Sequence, residues 1–361
     1  RRTMNKNGEA EKKQDYRVEK DSIGTKDVPQ NVYYGVQSLR AAENFHITGL
    51  NMHPEIINSL AYIKKAAAIT NCEIGMLDKK KAKAIVQACD EILEGKLHGD
   101  FIVDPIQGGA GTSLNMNANE VIANRAIEIL GGEKGDYSII NPNDDVNCGQ
   151  STNDVIPTAG KMTSLRLLKN LKKELLRLHK ALCAKAKEFD HVIKMGRTQM
   201  QDAVPIRLGQ EFNAYSVAVM RDIHRMDRAM EEMCTLNMGG TAVGTGINAD
   251  EAYLRRIVPN LVEVSDMEFV QAYDLIDATQ NLDPFVAVSG AVKACAVTLS
   301  KIANDLRLMS SGPRAGFGEI NLPAKQNGSS IMPGKVNPVI PEVVNQVAFN
   351  VIGNDVTITM A

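Results

Sequence analysis

Three long apolar seams constrain the fold of this chain more than any other feature of its sequence. In each seam, apolar residues recur at spacings of three and four, the heptad pattern of one face of an α-helix. The seams run from Leu168 to Leu182, from Phe212 to Met233 and from Phe285 to Met309. A helix with a narrow apolar stripe has to bury that stripe against other helices. The sequence therefore predicts a mainly α protein, an elongated bundle of long helices, with the remaining apolar faces covered by partner subunits.

The chain divides by composition into three predicted segments. Residues 1–15 are polar and poor in apolar side chains, so we expect a disordered tail. Residues 16–150 are expected to form a small mixed N-terminal domain with one small hairpin, and helical patterns begin there at Pro54 and Lys79. Residues 151–361 hold the three seams and are predicted to be a central helical-bundle domain. Its last helical pattern ends without a capping signal, so we expect that helix to be cut short.

Composition argues against several functional classes. The net charge of −2 and the lack of a basic stripe argue against nucleic-acid binding. No apolar run approaches the ~18 residues of a membrane span, so no membrane partner is expected. The six cysteines are scattered without a CxxC pair, and the six histidines include no HExxH motif. These patterns favour free thiols in a reducing cytoplasm and give no support to a metal site.

A loop over residues 328–338 carries the most chemistry in the sequence. Its two glycines and two prolines exclude a helix interior and an ordinary strand. Ser329 or Ser330 can accept a proton, Lys335 offers an ammonium ion and Asn337 a planar amide. Together these groups suit a small anion, although a surface turn with one solvated lysine fits the same composition.

Three further polar segments interrupt the helical patterns. Gly108–Ser113 is a glycine-rich turn that enters a helix, where free backbone N–H groups can bind an anion. Ser151 and Asp154 have the spacing of a capping box, and Pro157 is expected in the first helical turn. The hydroxyl and amide side chains that follow Ser151 are suited to binding a carboxylate. Gly196–Pro205 is predicted to be a tight connector. Helix caps and plain loops are the alternatives for all three.

In order along the chain, these four segments resemble motifs of the aspartase/fumarase superfamily. The resemblance spans roughly Arg17 to the end of the chain, and the loop over residues 328–338 is its most specific part. Within the superfamily the sequence is more similar to the aspartate ammonia-lyases, on the evidence of residues 109–113, Gln199 and residues 339–342. Class II fumarases usually carry a histidine at the position of Gln199. Members of the superfamily continue into the rest of a central helix and a small C-terminal domain, which we expect to be absent from this chain.

The resemblance implies an ammonia-lyase that converts L-aspartate reversibly to fumarate and ammonia through an enediolate intermediate, without a cofactor. It also implies a homotetramer whose sites each draw on three subunits. The implied catalytic residues are Ser329 as the base with Thr112, Ser151, Thr152, Thr198 and Gln199. The implied substrate-binding residues are Asn153, Ser330, Lys335, Asn337 and Glu342, the last orienting Gln199. A class II fumarate hydratase and a non-catalytic helical scaffold are the alternatives.

Overall fold

A computed structural model describes residues 15–361, so the predicted tail lies, apart from Asp15, outside the described residues. The described chain divides into two compact units. The first unit takes the residues up to Ser164 together with Cys234–Asn281, and the second takes Leu165–Met233 together with Leu282–Ala361. Long helices dominate both units, which confirms the predicted mainly α fold.

The first unit begins with the small hairpin that the sequence predicts. Strands β1 (Tyr16–Lys20) and β2 (Thr25–Pro29) pair antiparallel. Four helices follow: α1 (Val36–Asn44), α2 (Pro54–Glu73), α3 (Lys79–Leu93) and α4 (Thr112–Ile129). A short 3-10 helix (His98–Asp100) precedes α4, and a π-helical turn (Pro142–Val146) follows it. The helices α2, α3 and α4 pack together around an apolar core.

The bounds of α2 and α3 follow from local capping, and both predicted helices are confirmed. Pro54 opens α2, and the ring nitrogen Nδ1 of His53 accepts a hydrogen bond from the Glu55 backbone N–H at 3.1 Å. Asp78 caps α3 in the same way, and Gly95 follows the helix with a left-handed φ of 86°. Helix α1 was not predicted, because that segment carries few periodic apolar residues.

Residues 234–281 belong to the first unit, although the sequence analysis grouped them with the bundle. They form the short parallel strands β5 (Thr235–Leu236) and β6 (Val270–Gln271) and the helices α7 (Glu251–Ser265) and α8 (Leu275–Gln280). The physical reason is the packing of α7 on α2. Tyr253, Ile257 and Leu261 of α7 are buried, and Asn260 Nδ2 donates to Thr70 Oγ1 at 2.9 Å.

The second unit holds the three predicted seams. Helix α5 (Thr152–Glu188) starts in the first unit and carries the first seam, while α6 (Leu208–Met233) and α9 (Asp283–Met309) carry the other two. Helix α10 (Val339–Met360) packs along α9, and α9 packs on α6. Seam residues such as Leu175, Val219 and Cys295 are buried, so these stripes form the helical core.

Helix α9 corrects the expectation that no segment has the length and composition of a membrane span. An 18-residue window within Asp283–Met309 has a mean hydropathy of 1.5, long and apolar enough to cross a membrane, and 28% of that window is buried. Length and composition alone do not separate a spanning helix from the core helix of a bundle. The buried face of α9 includes Val288, Cys295 and Ile302.

Two local predictions were wrong. The segment Gly196–Pro205 is not a plain connector, because strands β3 (Ile193–Thr198) and β4 (Gln201–Arg207) pair antiparallel across it. Gln199 and Met200 take positive φ values of 50° and 63°, which forms the tight turn without the glycine that usually signals one. Pro157 lies in the second turn of α5 rather than the first, because the helix begins at Thr152.

Candidate active site

The start of α5 is built by the predicted capping box. Asp154 Oδ1 accepts a hydrogen bond from the Ser151 backbone N–H at 2.9 Å, and Ser151 Oγ accepts one from the Asn153 N–H at 3.2 Å. The other carboxylate oxygen of Asp154 accepts hydrogen bonds from Gly239 N at 3.1 Å and Thr241 N at 3.2 Å. Asp154 thus fixes both the helix start and the loop beside it.

A cleft of about 380 Å³ opens at this helix start, and both Ser151 and Thr152 line it. Most of the residues that line it have uncharged polar side chains, among them Asn115, Asn147, Gln150 and Thr241. The free N–H groups and the positive end of the helix dipole face an anion at such a place. The cleft can therefore bind a carboxylate without a competing charge on its wall.

Thr112 and Asn153 flank this region of the first unit. Thr112 is the first residue of α4, and its exposed hydroxyl donates to the Gly109 carbonyl at 2.7 Å. Gly111 precedes it with a φ of 92°, and a Cβ there would lie 2.9 Å from Ile156, so this turn requires glycine. The exposed Asn153 donates its amide to the Ala242 carbonyl at 2.7 Å.

The loop over residues 328–338 is irregular, as predicted, and hydrogen bonds join its two ends. Gly328 N donates to the Lys335 carbonyl at 2.9 Å, and Asn337 Nδ2 donates to the Gly328 carbonyl at 2.8 Å. A Cβ at Gly328 would lie 2.4 Å from the Asn337 side chain, so the closure requires glycine. Within the loop, Ser329 Oγ accepts a hydrogen bond from Met332 N at 3.1 Å, while the Ser330 side chain is exposed.

Lys335 and Asn337 line a second cleft of about 750 Å³, which lies within the second unit. Arg307 from α9 also lines it, as does Met200 from the tip of the β3–β4 hairpin. Met200 directly follows Gln199, so the second unit brings the hairpin tip and the Lys335 end of the loop to one cleft. Glu342 lies nearby in sequence, in the first turn of α10, and is partly buried.

The hairpin that carries Thr198 and Gln199 is anchored by an arginine. Arg197 donates two hydrogen bonds to the carboxylate of Glu319, at 2.6 and 2.7 Å, and its guanidinium stacks 4.3 Å from the centre of the Phe317 ring. The bond from Arg197 is the main reason that the pKa of Glu319 is lowered. This pair ties the hairpin to the segment that leads into the loop over residues 328–338.

Comparisons with known proteins decide the family. The profile of a protein family described as "Lyase" matches residues 24–353. The chain belongs to this lyase family. An aspartate ammonia-lyase of Bacillus subtilis is 59% identical over 347 residues, which cover 96% of this chain and 73% of the relative.

Two solved structures share the fold of this lyase. A fumarate lyase/delta crystallin from Brucella melitensis bound to cobalt matches with a TM-score of 0.94 at 53% identity, over 96% of this chain and 76% of that one. A class II fumarase from Schistosoma mansoni matches with a TM-score of 0.92 at 37% identity, with the same coverage. The resemblance of the sequence to the aspartase/fumarase superfamily is confirmed.

Sequence reasoning missed a buried polar group behind the first cleft of this lyase. Lys64 of α2 is fully buried, and its Nζ donates to Asn147 Oδ1 at 2.8 Å and to Gln150 Oε1 at 2.9 Å. Burial lowers the pKa of the Lys64 ammonium to about 7, an effect that the Asp154 carboxylate partly offsets. A signal was present in the sequence, because Lys64 falls on the same helical face as the buried Leu60.

Proposed function

We propose that this lyase is an aspartate ammonia-lyase, which converts L-aspartate reversibly to fumarate and ammonia. The observation that carries the proposal is the uncharged, hydroxyl- and amide-lined cleft at the N-terminus of α5. The similarity to the Bacillus subtilis aspartate ammonia-lyase, at 59% identity, supports it over the fumarase, at 37%. Gln199, where class II fumarases usually have histidine, points the same way.

The proposed reaction removes a proton from the carbon next to a carboxylate, which is a very weak carbon acid. The barrier falls only if the enediolate that forms on that carboxylate is stabilised by preorganised donors. Ser151 and Thr152 line the cleft at the α5 N-terminus, and Thr112 begins the neighbouring α4. In the proposal these three residues hold the carboxylate on which charge develops.

Ser329 is the base in this proposal. A serine hydroxyl is intrinsically a poor base, so its alkoxide has to be stabilised by nearby donors and a cation. The bond from Met332 N to Ser329 Oγ supplies one such donor. Closure of the glycine-hinged loop over a substrate would exclude water and strengthen these interactions.

The remaining residues are assigned to the other ends of the substrate. Lys335 and Asn337, together with Ser330, bind the second carboxylate, and Asn153, Thr198 and Gln199 surround the amino group. Glu342 orients the Gln199 side chain. The chemistry of these groups requires no cofactor, since proton transfer and charge stabilisation both come from side chains and backbone N–H groups.

We further propose that the enzyme is a cytoplasmic homotetramer in which each site draws on three chains. Helices α9 and α10 keep large apolar side chains exposed in the single chain, including Val297, Val347 and Phe349. Exposed apolar faces of this size on long helices are typical of subunit contacts in helical bundles. No nucleic-acid or membrane partner forms part of the proposal.

An absorbance assay of fumarate formation tests the proposed reaction. An aspartate ammonia-lyase produces fumarate from L-aspartate and none from L-malate. The second candidate, favoured by the fold shared with the class II fumarase, produces fumarate from L-malate alone. If a folded, oligomeric preparation forms no fumarate from either substrate, the result would favour the non-catalytic helical scaffold.

A further inference from the structure

Lys64 is not used by the mechanism proposed above, yet it contacts the back of the first cleft. Its side chain is fully buried in the first unit. The two oxygens that accept hydrogen bonds from its Nζ belong to Asn147 and Gln150, and both of these residues line the cleft. Lys64 thus reaches a bound ligand through two intermediate side chains rather than by direct contact.

The hydrogen bonds continue from Lys64 towards the proposed carboxylate site. Asn147 Oδ1 also accepts a hydrogen bond from Asn115 Nδ2 at 3.2 Å, and the same nitrogen lies 3.5 Å from Thr152 Oγ1. The side-chain oxygen of Asn115 is buried and makes no hydrogen bond within the described residues. A buried acceptor without a donor is costly, and the ammonium group of aspartate, unlike a carboxylate, has the hydrogens to supply one.

Among residues 15–361, no carboxylate forms an ion pair with Lys64. Asp154 of α5 faces it from one side and the Cys89 thiol of α3 from another. The Asp154 carboxylate is itself held by backbone N–H groups, and burial raises its pKa to about 6. Tyr253 of α7 lies near Asp154, and the Cys148 thiol lies near Tyr253. Burial therefore dominates at Lys64 and disfavours its charged form.

We propose that Lys64 is a positioning residue that becomes protonated when a dicarboxylate binds in the cleft, so that its ammonium compensates the charge of the ligand. The inference rests on the proposed function, because it takes a dicarboxylate as the ligand. An anion at the N-terminus of α5 favours the charged form of a nearby amine. Binding and proton uptake at Lys64 are therefore linked.

Isothermal titration calorimetry with succinate measures this linkage without turnover, because succinate has no group to eliminate. Titrations at pH 8 in two buffers of different ionisation enthalpy give the number of protons taken up per site. With a free pKa of about 7, Lys64 is mostly neutral at pH 8, so binding that charges it fully takes up about 0.9 proton per site. Asp154, with a pKa of about 6, is ionised at this pH, and any proton that it takes up on binding would persist in a variant that lacks a titratable group at position 64.

Three variants identify the group that is protonated. Lys64→Met is expected to lose the uptake and to bind succinate at least ~10-fold more weakly. Lys64→Arg keeps a permanent charge, so it is expected to retain most of the affinity without the uptake. Lys65→Met is the matched control, because the neighbouring Lys65 of α2 pairs with Asp90 at 2.6 Å and does not line the cleft; its uptake should be unchanged.

The outcomes separate this inference from the proposed function. Succinate binding to the unmodified protein without proton uptake, or uptake that persists in Lys64→Arg, would overturn the role of Lys64 and leave the proposed reaction standing. Failure of the unmodified protein to bind succinate would count against the proposed function, and the inference would fall with it. If Lys64→Met does not fold, the unmodified protein and Lys64→Arg still decide the question.

Discussion

Ser329 has to act as a base in the proposed mechanism, and its surroundings in the loop determine how easily its hydroxyl is ionised. Its hydroxyl oxygen already accepts a backbone N–H bond from Met332. Hydrogen bonds from Gly328 to Lys335 and from Asn337 to Gly328 hold the two ends of the loop together. A hydroxyl held among N–H donors and near a cation is more easily ionised than one in water.

Replacing Ser329 by alanine is expected to lower kcat for aspartate by at least ~10³-fold, because the base is lost while the loop backbone is kept. Steady-state fumarate formation measures the loss, and succinate binding and circular dichroism check that the site and the fold remain. Ile331→Ala is the control, since that side chain is 83% exposed on the same loop. Near-normal turnover in Ser329→Ala would remove the serine from this role.

Lys335 is expected to serve binding more than the chemical step. Its ammonium would contact a carboxylate in both the ground state and the transition state, so Lys335→Ala should raise KM at least ~10-fold with a smaller change in kcat. Initial rates over a range of aspartate concentrations separate the two constants. Lys325→Ala, a change at an exposed lysine ahead of the loop, should leave both unchanged. A large fall in kcat at constant KM would contradict the assignment.

Among the elements, α10 depends on a carboxylate for its attachment to α9. Asp355 of α10 accepts hydrogen bonds from Lys293 Nζ at 2.6 Å and Ser289 Oγ at 2.8 Å, both on α9. The bond from Lys293 is the main cause of the lowered pKa of Asp355. A carboxyl group whose pKa is lowered by folding stabilises the fold above its unfolded pKa and loses this contribution as the pH falls through the folded pKa.

Asp355→Asn is therefore expected to lower the urea midpoint of unfolding at pH 7. The difference from the unmodified protein should shrink as the pH falls below ~4, where the carboxylate becomes protonated. Urea titrations at pH 7 and below pH ~4 measure this difference in the midpoint of unfolding. Gln346→Ala, on the exposed face of α10, is the control. An equal difference at pH 7 and at acidic pH would show that the charge of Asp355 is not what stabilises the contact.

The elements that could be predicted from the sequence are those whose signals are local. The bounds of α3 follow from Asp78 at one end and Gly95 at the other, and the apolar seams identify α5, α6 and α9. Ser151 and Asp154 also form the capping box that their spacing indicates. In each case the stabilising contact joins residues a few positions apart, so the sequence contains it.

The features that could not be predicted depend on partners far apart in the chain. The hairpin at Thr198 is held by Arg197 and Glu319, which are separated by 122 positions. Lys64 is held by side chains more than 80 positions away in the sequence. Its only signal in the sequence is its position on the apolar face of α2, which is buried. Spacing rules describe one helix or one turn at a time and contain no information on such pairs.

For the whole molecule, we propose that each active site is assembled from more than one chain. In this chain the carboxylate cleft with Ser151 and Thr152 belongs to the first unit, while Thr198, Ser329 and Lys335 belong to the second. The proposal completes each site with residues of neighbouring subunits around the bundle helices.

Mixing two inactive variants tests whether the sites are shared between chains. Thr152→Ala and Ser329→Ala proteins are combined, subunit exchange is confirmed with differently tagged chains, and fumarate formation from aspartate is measured. If Thr152 and Ser329 of one site come from different chains, random exchange leaves about a quarter of the sites intact, and activity recovers to that level. Activity that stays at the level of the single variants after complete exchange would contradict the shared site.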